Sequence, residues 1–138
     1  MSATNIKILV RKIAALLPEL EAWGEVYFFA LGEREGLHRW EVIVSSRWSD
    51  QSYAKSVRIV ADALMRRLNP DEMRELASIS IIPSNEPNIA EMPKNLELVS
   101  PEEESIINFT LMGLEIGRAY IFKAQKPSLV DLMNASTP

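Results

Sequence analysis

Cysteine is absent from this sequence, histidine occurs once, and glycine occurs only five times in 138 residues. Without cysteine the chain has no disulfide framework, no thiolate metal site and no cysteine nucleophile. A single histidine excludes zinc sites of the ordinary kinds. The glycines form neither a phosphate-binding loop nor a dinucleotide fingerprint, and no serine lies in a G-x-S-x-G setting. The sequence therefore predicts no metal and no cofactor.

Long hydrophobic runs are also missing. The longest uncharged apolar run, Val26 to Leu31, is far too short to cross a bilayer, and the polar residues 1–5 are unlike the start of a signal peptide. The formal net charge is −4, so the chain lacks the overall positive field that attracts phosphate backbones. We expect a soluble, cytoplasmic protein, and the sequence argues against a membrane or nucleic acid as its partner.

What the sequence does contain is the ordinary composition of a folded domain. Apolar residues make up 47% of the chain and charged residues 25%, and the length suits one hydrophobic core. We predict a single domain over residues 1–126. The polar tail, residues 127–138, is a candidate for docking on a partner chain.

Helical periodicity occurs in two places. Between Ile6 and Leu20 apolar residues recur every three or four positions, and Pro18 predicts that this helix ends or kinks near Leu17. A longer helix is predicted from a cap at Ser49 or Asp50 to Leu68, with a short helix from Asn69-Pro70 to about Ala77. The predicted buried stripe of the longer helix is Tyr53, Val57, Val60, Ala61, Leu64 and Leu68.

Strand patterns occupy most of the remaining chain. Residues 25–31 (EVYFFAL) are typical of a central strand buried on both faces, and the charged turn GEREG leads into a returning strand over residues 37–45. That strand alternates, with Trp40, Val42 and Val44 toward the core and Arg39, Glu41 and Ser45 on the other face. Further strands are predicted at 79–82, at 96–99 and as a pair within 108–124, with a bulge or kink at Gly117 and a short helix from Ser100.

The predicted order of elements is α-β-β-α-α-β-(β)-α-β-β. Helices grouped around a mostly antiparallel sheet indicate the α+β class. We expect a two-layer sandwich in which the helices cover one face of the sheet.

The charges favour one interaction surface. Between Arg39 and Arg67 the chain has six basic and three acidic residues, and Trp and Arg are enriched at binding hot spots. The predicted surface consists of Arg47, Trp48, Lys55, Arg58 and Arg66. The alternative is that Trp48 folds under the following helix and that the basic residues are simply solvated.

Residues 26–45 also resemble, in length and hydrophobic rhythm, the strand-turn-strand of minimal nucleotidyltransferases. Ala30 and Leu31 stand where that family has a Gly-Ser pair, and Glu41 supplies one carboxylate where the family has two metal-binding aspartates. The resemblance therefore implies a fold relative without phosphoryl-transfer activity.

These observations favour a non-catalytic domain that binds another protein or forms a homodimer, through a sheet edge or through the C-terminal strands and tail. The alternative is a degenerate nucleotidyltransferase-like protein that binds nucleotide or acts as an enzyme. A third hypothesis is that the local basic helix contacts nucleic acid.

Overall fold

The computed structural model describes residues 6–34, 39–85, 105–111 and 114–124. In that part of the chain the helices are α1 (Ile6–Ala14), α2 (Leu17–Glu21), α3 (Tyr53–Arg67) and α4 (Pro70–Arg74), with a 3-10 turn at Arg47–Asp50. The strands are β1 (Val26–Arg34), β2 (Trp40–Ser46), β3 (Leu76–Ile82), β4 (Ser105–Leu111) and β5 (Leu114–Ala124). The predicted α+β class is confirmed. The predicted strand at 96–99, the helix from Ser100, His38 and the tail 127–138 lie outside the described residues.

The described strands form one five-stranded sheet in the order β3-β2-β1-β5-β4. Strand β1 pairs antiparallel with β2 and with β5, and β5 pairs antiparallel with β4. Among the described strands only β2 and β3 are parallel, because α3 carries the chain back to the starting end of β2 before β3 begins. The mostly antiparallel sheet is confirmed, and the two-layer arrangement stays a prediction.

Strand β1 is the central strand of this sheet, as predicted. Its side chains from Val26 to Leu31 are at most 1% exposed. Phe29 and Leu31 belong to the larger core cluster, which also contains the buried side chains of α1, α2 and α3. Phe28 and Ala30 point to the opposite face and form a second cluster with Ile43, Ile82 and Ala119. An uninterrupted apolar run is what burial on both faces requires.

The C-terminal strands also agree with the prediction. Strand β4 ends at Leu111 and β5 begins at Leu114, and these two residues pair, although β4 begins at Ser105, earlier than expected. Glu33 pairs with Arg118 and Arg34 with Ile116, so Gly117 is the extra residue of a bulge. Ring contact between Phe29 and Phe122 joins β5 to the larger cluster, with centroids 5.0 Å apart.

The N-terminal helical region differs from the prediction in one respect. The break falls between Ala14 and Leu17, and Pro18 lies in the first turn of the second helix, α2. Proline is well accommodated there because first-turn amides have no partner within a helix. The segment closes at Gly24, whose φ of +144° favours glycine.

Helix α3 required two corrections. Its cap is Ser52, whose hydroxyl accepts a hydrogen bond from the Lys55 amide, whereas the predicted caps, Ser49 and Asp50, lie in the 3-10 turn. The predicted buried stripe is correct in part, since Val60, Leu64 and Leu68 are buried, whereas Tyr53 is 63% exposed and Val57 and Ala61 are half-buried. The helix also buries Ser56, Ile59 and Ala63.

Helix α4 begins as predicted and ends early. Asn69 and Glu72 form a reciprocal capping box around Pro70. The helix stops at Arg74 rather than near Ala77 because β3 already pairs with β2 from Leu76 onward.

The face of β2 opposite the tryptophan was expected to lie away from the core. Glu41 and Ser45 are instead 1% and 0% exposed. Neighbouring Ile43 belongs to the second core cluster, so both faces of this strand are covered. Glu41 accepts hydrogen bonds from the Ser78 and Ser80 hydroxyls of β3, both at Oε2, which offset part of the cost of burying the carboxylate.

Candidate functional site

A groove of about 480 Å³ runs along the outer side of α3, beside the turn that follows α2. Its size is typical of a binding site. Three of the five residues predicted for an interaction surface lie in it together. The lining residues are Trp23, Ala54, Lys55, Arg58, Ile59, Asp62 and Arg66.

Trp23 is the aromatic residue of this groove. Its side chain is 57% exposed, and the Lys55 ammonium lies 6.0 Å from the centre of its ring, a cation–π contact. None of the sequence patterns singles out Trp23 as a binding residue. The sequence feature that could have indicated an exposed Trp23 is its place beside Gly24 at the end of a helix, since such turns usually lie at the surface.

The turn that carries Trp23 is held from beneath by Trp48. Trp48 is 5% exposed, and its indole N–H donates to the Leu20 carbonyl at 3.2 Å. The Arg47 amide donates to the Glu25 carbonyl at 2.8 Å, which fixes the chain after Gly24. Trp48 is therefore buried support for the groove and cannot be a surface anchor, which corrects its place in the predicted surface.

The cations of the groove differ in how they are paired. Arg66 donates to the Glu19 carboxylate through Nε, at 3.0 Å, and through Nη2, and Arg67 lies 3.5 Å from the same carboxylate. The hydrogen bond from Arg66 is the main reason that the pKa of Glu19 is lowered. Arg58 has no hydrogen-bond or ion-pair partner among the residues that the structure describes.

The groove is therefore an exposed site of mixed character. Lys55 and Arg58 offer positive charge, Trp23 offers an apolar ring, and Asp62 places one negative charge on the same wall. Arg47 is exposed and is not one of the lining residues, so the structure joins only Lys55, Arg58 and Arg66 of the predicted set.

The residues named by the nucleotidyltransferase resemblance lie on the paired strands β1 and β2, where Leu31 is opposite Val42 and Glu41 is opposite Gly32. The Glu41 carboxylate is engaged by Ser78 at 2.6 Å and Ser80 at 2.9 Å. Within the described ranges, no group of three histidine, aspartate or glutamate side chains is arranged to hold a metal ion.

Comparison with protein-family models, curated proteins and solved structures found no match to this chain. In the described part of the chain, every helix is too short or too polar to span a membrane.

Proposed function

We propose that this chain is a non-catalytic protein-interaction domain and that the groove beside α3 is its binding site. The ligand class that fits is an acidic segment of a partner protein carrying an apolar side chain. The observation that supports this is the exposed Trp23 ring with the Lys55 ammonium 6.0 Å above it, in a groove that also contains Arg58.

The chemistry of the groove suits such a segment. An apolar side chain would cover the Trp23 ring, since a few residues supply most of the binding energy at interfaces and tryptophan is enriched among them. Carboxylates of the ligand would pair with Lys55 and Arg58, and charges at the rim of a site mainly increase the association rate and its dependence on salt. Asp62 would repel a ligand acid from its end of the groove, which would fix the direction of the bound segment.

The test is a fluorescence titration of the full chain with a library of twelve-residue peptides that combine Glu or Asp with Leu or Phe. We expect binding that Trp23→Ala weakens by at least about tenfold, as for a hot-spot residue. Arg58→Glu should weaken it comparably at low salt and less at high salt. The matched control is Arg74→Glu, an equal charge change at a side chain that is 75% exposed on α4.

Two results would contradict the proposal. One is the absence of any acidic–apolar peptide that binds. The other is binding that Trp23→Ala and Arg58→Glu leave at the level of the Arg74→Glu control.

The other hypotheses give different results in parallel assays. A nucleotidyltransferase-like protein should be stabilised against heat by nucleotide and magnesium, and Glu41→Ala should abolish the shift. A nucleic-acid-binding protein should bind oligonucleotides with steep salt dependence, weakened by Arg58→Ala and Arg66→Ala. We propose a cytoplasmic location, which agrees with the absence of cysteine.

A further inference from the structure

Strand β3 is an edge of the sheet formed by the described strands. Its middle is open to solvent, since Ser78 is exposed and Ala77, Ile79 and Ser80 are half-buried. The sequence of the strand, LASISII, contains no charged residue, proline or glycine. Natural proteins usually protect an edge of this kind with charges or proline because it can pair with another strand.

Among the residues that the structure describes, protecting features occur only at the ends of β3. The Arg39 guanidinium donates to the Leu76 carbonyl at 2.5 Å, and Pro83 follows the last residue of the strand. Ala77 forms a bulge, because Trp40 pairs with Leu76 and Glu41 with Ser78. The regular, uncharged segment Ser78–Ile82 is therefore the part of the edge that can accept another strand.

Helix α3 has an apolar flank on the same side of the molecule. Helix α2 packs on β1, and Glu21 of α2 pairs with Lys123 of β5 at 2.7 Å, whereas α3 packs on β3. The flank of α3 that faces away from α2 therefore lies over the β3 edge. It carries Tyr53, Val57 and Ala61 at four-residue spacing, with Tyr53 63% exposed and the other two half-buried.

A second copy of the chain fits both features at once. Antiparallel strands related by a two-fold axis perpendicular to the sheet keep the same face of each sheet on the same side. Residues that face each other across the two β3 strands then lie on the same side of the continued sheet. Ser78 and Ser80 therefore lie beside residues from the serine-bearing side of the other copy, and the isoleucines on the other side lie beside isoleucines. Because α3 packs on β3, the α3 helices of the two copies lie beside each other on the same side of the continued sheet, and helices pack through side chains at such contacts.

We propose that two copies of this chain associate through antiparallel pairing of their β3 edges, with the Tyr53, Val57 and Ala61 flanks of the two α3 helices packed against each other. The sheet then continues through both copies. This inference is independent of the groove, which lies on the opposite flank of α3, so either can fail without the other.

The first test measures self-association of the full chain by sedimentation over a range of concentrations. Tyr53→Glu would place two carboxylates at the helix contact and should raise the dimer dissociation constant by about 10- to 100-fold. Its fold should be preserved, because the first turn of α3 contains no acidic residue and an acid is favourable there. The matched control is Met65→Glu on the outer face of the same helix, where the side chain is 59% exposed, and we expect less than about a twofold change.

The second test uses the absence of cysteine, which makes any introduced thiol the only one. Single cysteines at Ser78, Ile79 and Ser80 are oxidised under identical conditions, with Gln51→Cys as the exposed control. A residue on the two-fold axis faces its own copy with Cβ atoms about 5 Å apart, near the reach of a disulfide. One of the three should therefore form a reducible dimer far faster than Gln51→Cys.

A chain that stays monomeric at millimolar concentration would overturn the proposal. So would a dimer that is weakened equally by Tyr53→Glu and Met65→Glu, or β3 cysteines that cross-link no faster than the control.

Discussion

Replacing Gly24 by alanine should destabilise the protein by about 2 kcal/mol. At the φ of +144° an L-residue is strained by ~1–3 kcal/mol. The new Cβ would also lie 3.1 Å from Cδ1 of the Trp48 ring, which adds ~1 kcal/mol of crowding. Against this, alanine reduces the entropy of the unfolded chain, a gain of ~0.4–1 kcal/mol.

The assay is equilibrium unfolding in denaturant, checked by a thermal melt. A loss of about 2 kcal/mol corresponds to a fall in Tm of roughly 6–10 °C for a domain of this size. The same substitution in a Trp48→Val background separates the two causes, because valine ends at Cγ and has no atom at the Cδ1 position that the new Cβ would approach. There the cost of Gly24→Ala should fall by about 1 kcal/mol. An alanine variant as stable as the natural chain would refute this reasoning.

Two further predictions concern the helix starts. Burial alone would raise the pKa of Glu72, but hydrogen bonds from Lys12 and the Asn69 amide outweigh it and lower that pKa. The resulting stabilisation is complete above the unfolded pKa of about 4.3 and is lost as pH falls through the folded value. Glu72→Gln keeps the capping box, so it should flatten the dependence of unfolding free energy on pH between about 5 and 3; an unchanged slope would contradict this. Ser52→Ala removes the acceptor for the Lys55 amide and should cost about 1 kcal/mol in denaturant unfolding, and a cost near zero would mean that Ser52 is not the cap.

The parts of the fold that the sequence predicted well are those with one physical interpretation. Residues 25–31 are apolar without interruption, and only a strand covered on both faces accommodates that in so short a run. Gly117 interrupts a β-pattern, and a bulge is the usual reason. The start of α4 was recognisable because Asn, Pro and Glu each fit a specific need of the first helical turn.

The errors come from interactions with residues distant in sequence. Helix α3 has apolar residues over more than half of its circumference, so periodicity could not say which part faces the sheet. Ser56 is buried in place of an apolar residue because its hydroxyl donates to the Trp48 carbonyl at 3.2 Å. Glu41 is buried because Ser78 and Ser80 arrive from β3 to bond it. The sequence around Glu41 does not indicate that the Ser78 and Ser80 hydroxyls will lie next to its carboxylate.

The candidate site was predicted only in part for the same reason. Lys55, Arg58 and Arg66 share one side of a helix, and their spacing indicates this directly. Trp23 reaches them from a different helix, and its position depends on the turn at Gly24 and on Trp48 beneath it. The contact between Trp23 and α3 therefore joins two segments that are separated in the sequence by the β1–β2 hairpin.

The middle position of β1 has a consequence for biosynthesis. One of its neighbours, β2, follows it immediately, but the other, β5, is the last strand described, so Phe28 pairs with Ala124 near the far end of the chain. During translation the edge of β1 that pairs with β5 stays unpaired until β5 has left the ribosome. Because closing so long a loop is slow, the newly made chain exposes this edge to aggregation until β5 pairs with it.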